Sequence, residues 1–251
     1  HDAPSGALRS AGWTLRARRE NDATIATVKG PGPLVGGVRQ RVEINAPLER
    51  LPTADDPLPP SIAAALAGAG LPLLAWPPWA SRAVIERTAV DLEVPGCRAE
   101  LAIDHGRVEA GGRQSAVREL ELELRAGEAG GLVDAATLLA GRLGVRPGGW
   151  SKAARGMALL GWLRPPILRA SPTLLDRFEN LVDLEDRLRL GEDRWLEARR
   201  EAIDALLRAG APRELADGSG ALTATRLQID SPTHAALLWG LFVGAVRAGR
   251  Q

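Results

Sequence analysis

The chain has 251 residues, enough for a full hydrophobic core and for one or two domains, with an ordinary 45% hydrophobic and 25% charged content. A formal net charge of +1 provides no global field for nucleic acid or a membrane surface, so any charge-driven function must come from local segregation. The single cysteine, Cys97, excludes an intramolecular disulfide framework and a cysteine-based zinc site.

Residues 12–29 divide into "GWTLRARRE" and "ATIATVKG", two strands joined by the turn-forming "END". Thr14, Arg16 and Arg18 share one face of the first, opposite Trp13, Leu15 and Ala17. Ile25, Thr27 and Lys29 alternate with Thr24, Ala26 and Val28 in the second. After the breaker "GPGP", the stretch "GVRQRVEINAP" reads as a strand with Arg39, Arg41 and Glu43 on one face. The loop "LPTADDPLPP" leads to a short helix in "SIAAALAGAG", with Ser61 as its expected N-cap. Two further strands follow, aligning Ile85, Arg87, Ala89 and Asp91 in one and Arg98, Glu100, Ala102 and Asp104 in the other. "DHG" and "AGGR" supply turn chemistry before the next strand.

That strand contains "ELELELR" at 119–125, with Glu119, Glu121 and Glu123 at every second position and leucines between them. In a strand this spacing gives one acidic and one apolar face; in a helix the same residues would scatter around the axis. A helix over about 132–143 and a short segment "WSKAARGMALL", carrying Lys152 and Arg155, complete this part. Beyond Pro165–Pro166, "SPTLLDRFENLVDLEDRLRL" and "DRWLEARREAIDALLRAG" have helical apolar spacing, and their arginines and glutamates read as solvated faces. "ALTATRLQID" at 221–230 is strand-like, and a last helix covers "PTHAALLWGLFVGAVRAG". The apolar run at 235–246 is too short to span a bilayer, and no signal peptide is visible at the start, which gives a cytoplasmic expectation.

Five or six strands thus carry one face of charge and one of small or aliphatic residues. A sandwich would wet the charged face, whereas a barrel under covering helices can line a tunnel with it. Periodicity does not choose between them. The residue types do say what such a lining would hold. Arginines 16, 18, 41 and 87 with Lys29 and Lys152 around a few carboxylates suit a polyphosphate with metal ions between phosphate and carboxylate. Of 32 basic residues only Lys29 and Lys152 are lysines, and a compact ammonium differs from a guanidinium fork. His1, His105 and His234 lack ligand spacing and read as turn or surface residues. Cys97 and the seven tryptophans read as packing residues.

With these motifs assembled, residues 1 to about 160 resemble the CYTH family of triphosphate tunnel metalloenzymes. The resemblance rests on "HDAPSGALRSAGWTLRARRE", "TVKG", "RQRVEI", "ELELELRAGE" and "SKAARGMALL", in the family's order. It implies an α+β fold, an eight-stranded antiparallel barrel over 1–164 with flanking helices, followed by a helical region over 165–251 of unknown role. It also implies Mg²⁺- or Mn²⁺-dependent hydrolysis of inorganic triphosphate or a nucleoside triphosphate. Arg16, Arg18, Lys29, Arg41, Arg87, Lys152 and Arg155 would contact phosphates. Glu119 and Glu121 would bind metal, with Glu43, Glu100, Asp104 and Glu123 as supporting carboxylates. A phosphate-binding domain with weakened turnover and an adenylate cyclase are the alternatives within the same resemblance. The family's opening Glu-x-Glu-x-Lys strand is absent from the sequence, which begins "HDAPSG" without methionine, and the expectation is truncation or an open barrel edge. The 221–230 stretch is the candidate to cover such an edge. The C-terminal helices lack the family's His-x-x-Arg polyphosphate-binding pattern.

Overall fold

The computed structural model describes the chain except residues 3–5, 33, 36–37, 144, 164–172, 210–237, 241, 244 and 247–251. The 221–230 stretch, His234 and the Pro165–Pro166 junction therefore lie outside the described residues. In the first part β1 (Thr14–Glu20) and β2 (Ala23–Lys29) form a hairpin, turned at Asn21 with φ 51°, a conformation asparagine tolerates. The residues expected as one strand from 37 to 47 divide instead. A two-residue ladder joins β3 (Leu34–Val35) to β4 (Val38–Arg39), and β5 (Glu43–Leu48) pairs with β2. The missed ladder lies in "GPLVGGVR", where one proline and three glycines hide a strand pattern of only two residues per side.

The β1-β2-β5 sheet is antiparallel, with Thr14 opposite Lys29 and Lys29 opposite Glu43. Because directly opposed residues share a face, Leu15, Val28 and Ala46 fall on one side and Arg16, Thr27, Asn45, Lys29 and Glu43 on the other. The apolar side is covered by α2 (Pro60–Gly68), whose Ile62 and Leu66 pack with Leu15, Val28 and Trp76 into one buried cluster. Ser61 does not cap α2. Pro60 takes the first helical position, where a missing N–H costs nothing, and Pro59 precedes it.

The second sheet, β6-β7-β8, is built from long strands: β6 (Arg82–Val94), β7 (Cys97–Ala110) and β8 (Arg113–Gly127). The "DHG" turn expectation fails here. Asp104, His105 and Gly106 continue β7, because glycine lets β6 approach; a Cβ on Gly106 would lie 2.0 Å from the Val84 carbonyl oxygen. The hairpin turn is Gly111–Gly112, both at positive φ. Among the described residues the ladders form three separate antiparallel sheets, and together with the helices they make an α+β fold.

Four further helices complete the described chain up to residue 209. α3 (Ala129–Leu143), three residues longer at its start than expected, lays Leu132 on the apolar face of the second sheet against Ala99, Leu122 and Leu124. The short α4 (Lys152–Leu159) crosses the opposite, charged face, its Leu159 buried with Val108 and Val117. α5 (Leu174–Arg189) and α6 (Leu196–Arg208), linked by a single turn of 3₁₀ helix at Asp193–Trp195, enclose a separate core of Phe178, Leu181, Leu184, Ile203 and Leu206. Among the described residues of the last expected helix, Leu238 and Ala245 are buried in that core.

Candidate functional site

The charged face of the second sheet is set by its register. Arg87 stands opposite Asp104, and Asp104 opposite Glu119; one step along, Ala102 stands opposite Glu121. Alanines at 89 and 102 leave room between the charges, so Arg87 reaches across the sheet. Its guanidinium donates to both Asp104 oxygens at 2.6 Å and to Glu121 at 2.5 Å. From above, α4 brings two more cations. Lys152, Arg155, Gly156 and Leu159 follow helical spacing along one face, so the helix that buries Leu159 must also aim Lys152 at the carboxylates. Gly156 makes this close seat possible, since a Cβ there would fall 2.4 Å from Ser81 Oγ.

The Lys152 ammonium sits among all three acids: 2.6 Å from Asp104, 2.8 Å from Glu121 and in direct contact with Glu119. Arg155 donates to the other Glu119 oxygen at 3.0 Å. Ser151 caps α4, its hydroxyl accepting from the Ala154 N–H. Among the described residues, Asp104, Glu119 and Glu121 form a group whose carboxylate oxygens lie within 4.8 Å of one another. An all-oxygen donor set of this kind can hold a metal ion.

Charge state follows from these contacts. Burial alone would push the Asp104 and Glu121 carboxyls up, but hydrogen bonds and charge from Arg87 and Lys152 hold both below their ordinary values. Burial would likewise lower Lys152, yet its three carboxylate partners hold it above the ordinary lysine value. Arg87 is raised, chiefly by its hydrogen bond to Asp104. Asp104 and Glu121 are thus held as carboxylates, and Lys152 and Arg87 as cations, by one another.

On the charged side of the first sheet, Arg16 is the residue that senses this cluster. The Arg16 pKa is lowered first by burial and then by Arg18, and Arg16 also feels Glu43, Glu121 and Arg87. Lys29 is paired with Glu43 at 2.6 Å, and Arg18 with Glu20 at 3.3 Å. Burial opposes ionisation of Glu43, but Lys29 and Asn45 hold its carboxyl below the ordinary value. Arg41 is exposed just ahead of β5. Glu100 and Glu123 stand further along the sheet and are taken by Arg125, at 2.6 and 3.0 Å. Arg125 is the extra residue of a bulge, since Ala99 pairs with Leu124 and Arg98 with Ala126. The structure thus gathers Arg87, Asp104, Glu119, Glu121, Lys152 and Arg155, with Arg16 within electrostatic reach.

Other expectations need correction. His1 is not a surface residue: its ring packs edge-on against Trp76 at 4.8 Å and its Nδ1 bonds the Pro77 carbonyl at 2.7 Å. His105 is exposed, as a surface residue should be, but in a strand rather than a turn, on the face opposite the charged cluster. Trp76 is core, but Trp79 of the same "WPPW" is 66% exposed. The largest miss is in α5 and α6. Glu185, Asp186, Arg187 and Arg199 are buried rather than solvated, with Glu185 bonded directly to Arg199. Helical spacing alone does not say which of many charged residues faces in. Cys97 is buried with Ala99 and Leu132, as expected of a packing residue.

An antiparallel α+β fold that gathers carboxylates and cations on one face of a sheet suits a polyanion and a metal ion as ligands. The CYTH domain family model matches residues 1–156, and the chain belongs to that family. The family is one of triphosphate-tunnel proteins, metal-dependent and binding triphosphate substrates, and it includes triphosphatases and cyclases. Among the described residues no helix is long and apolar enough to cross a membrane.

Proposed function

We propose that this chain hydrolyses inorganic triphosphate or a related triphosphate compound, with Mg²⁺ or Mn²⁺, in a tunnel walled by the charged faces of its two larger sheets. The observation that carries the reading is the convergence of Lys152, Arg87 and Arg155 on Asp104, Glu119 and Glu121. Three cations against three carboxylates leave that cluster neutral. A divalent ion on the carboxylates would give it a net positive charge, to which Arg16 and Arg18 add, and a polyanion is the ligand that balances it.

In this reading Asp104, Glu119 and Glu121 hold the metal. Glu43, Glu100 and Glu123 are already engaged by Lys29 and Arg125, and stand as outer carboxylates. Arg155 and Arg87 turn their remaining N–H groups to the phosphates, Lys152 exchanges a carboxylate partner for one, and Arg16, Arg18, Lys29 and Arg41 extend the lining along the first sheet. The bound ion supplies Lewis-acid charge neutralisation and an activated water. The residues themselves fix the chain of phosphates in line, which is most of what phosphoryl transfer asks of a protein.

The test is phosphate release from tripolyphosphate with Mg²⁺ or Mn²⁺ by the full chain. Metal-dependent release is expected. Tight binding without release would replace the hydrolase by a phosphate-binding domain, and cyclic AMP formation from ATP would replace it by a cyclase.

A further inference from the structure

Lys152 is the first residue of α4, so whatever fixes the entry to α4 fixes the aim of its ammonium. That entry, residues 146–150, is bound to α5. The buried Asp186 carboxylate accepts from Arg146 at 2.5 Å through one oxygen, and from the Gly149 and Trp150 backbone N–H groups at 2.9 Å each through the other. One turn earlier Asp183 accepts the Trp150 indole N–H at 2.7 Å, while its second oxygen accepts from Arg187 at 2.9 Å. The Arg187 guanidinium lies 5.6 Å from the Trp150 ring. Close packing reinforces these bonds: a Cβ on Gly149 would lie 2.9 Å from Val182 Cγ1 and 3.2 Å from Asp186 Oδ2.

Only Ser151 separates the residue held by α5 from Lys152. A carboxylate that captures two consecutive backbone N–H groups fixes the direction of the chain as well as its place, because both donors must point at one oxygen. We infer that Asp186 is a positioning residue for Lys152, so that the helical region beyond residue 173 forms part of the triphosphate site rather than an appendage to it. The inference rests on the reading of Lys152 as a phosphate-site residue. Asp186 touches no reacting atom; it acts through the five-residue segment it holds.

The experiment measures tripolyphosphate affinity by calorimetry for the wild-type chain, Lys152→Met, Asp186→Asn, Gly149→Ala and the doubles with Lys152→Met. Gly149→Ala wedges the same segment away from α5 and keeps every charge, so it reads the inference even where the buried asparagine costs stability. Each single variant at 149 or 186 is expected to weaken binding about 10-fold, the scale of a supporting-shell loss. In the Lys152→Met background the same change should have little further effect, because the two act as one unit. Hydrogen exchange at the Gly149 and Trp150 amides should rise in Asp186→Asn. If Lys152→Met binds as tightly as wild type, the site reading falls and this inference with it. If Lys152→Met weakens binding but the 149 and 186 variants do not, or do so equally in both backgrounds, the site stands and the positioning role is refuted.

Discussion

The cluster around Lys152 and the cluster around Glu185 and Asp186 contain the same chemistry, carboxylates against arginine or lysine, in opposite settings. The first lies on a sheet face under a short helix, and solvent reaches it: the Glu121 side chain is 47% exposed, although Asp104 beneath it is fully covered. Its partly exposed groups can exchange partners, a carboxylate for a phosphate or a cation for a metal ion. The second is shut between helices. Glu185 and Asp186 are adjacent in sequence but about 100° apart around the axis, so one reaches Arg199 of α6 and the other the segment before α4. Charges in the open cluster are available for binding, and those in the closed one hold elements in place.

The sharpest test of that contrast is Arg199→Ala. Glu185 and Arg199 side chains are 0% and 2% exposed, so truncating Arg199 removes a direct ion pair that water does not reach. A loss of about 3–5 kcal/mol in denaturant unfolding is expected, while replacing both by leucine and methionine should restore most of it. A loss under about 1 kcal/mol would mean that water reaches this pair as it does the open cluster.

The open cluster should respond in activity instead. Glu121→Gln removes a charge and almost no volume, and leaves Arg87 paired with Asp104. Metal-dependent phosphate release is expected to fall about 100-fold or more, with the unfolding midpoint nearly unchanged. Wild-type release in this variant would reduce Glu121 to a solvated strand residue.

The two clusters were also unequally legible. In a strand the side-chain period is two, so "ELELELR" alone assigns Glu119 and Glu121 to one face, and the same rule assigns Arg87 and Asp104. Lys152 and Arg155 were legible as a motif, and their helical spacing to Leu159 explains why they descend on that face. Which carboxylates fall to Arg125 depends on a bulge, and a one-residue slip leaves no mark in the pattern. In "LEDRLRL" almost every position is charged or leucine, so burial of Glu185 and Asp186 depends on partners 14 and up to 40 residues away. No local period contains that information. The β3-β4 ladder was hidden for a different reason, its strands being two residues long.

The smallest expected effect is on acid stability, because solvent screens a partly exposed cluster. Asp104 and Glu121 have folded pKa values below their ordinary 3.8 and 4.5. As pH falls past those ordinary values the unfolded chain takes up these protons first, so stability declines with pH until the lower folded values are passed. Above about pH 5 the contribution of these carboxylates is complete. Lys152 has the opposite sign. Its folded pKa is raised above the ordinary 10.5, so its contribution is full below that value and is lost only as pH rises through the folded one. Urea midpoints in EDTA should therefore be flat in these terms near neutrality, with an acid limb that Glu121→Gln makes shallower. An acid limb of equal slope in wild type and Glu121→Gln would show that Glu121 gains nothing from Arg87 and Lys152. The open cluster would then be a set of contacts without electrostatic coupling, and its contrast with the closed one would have to rest on geometry alone.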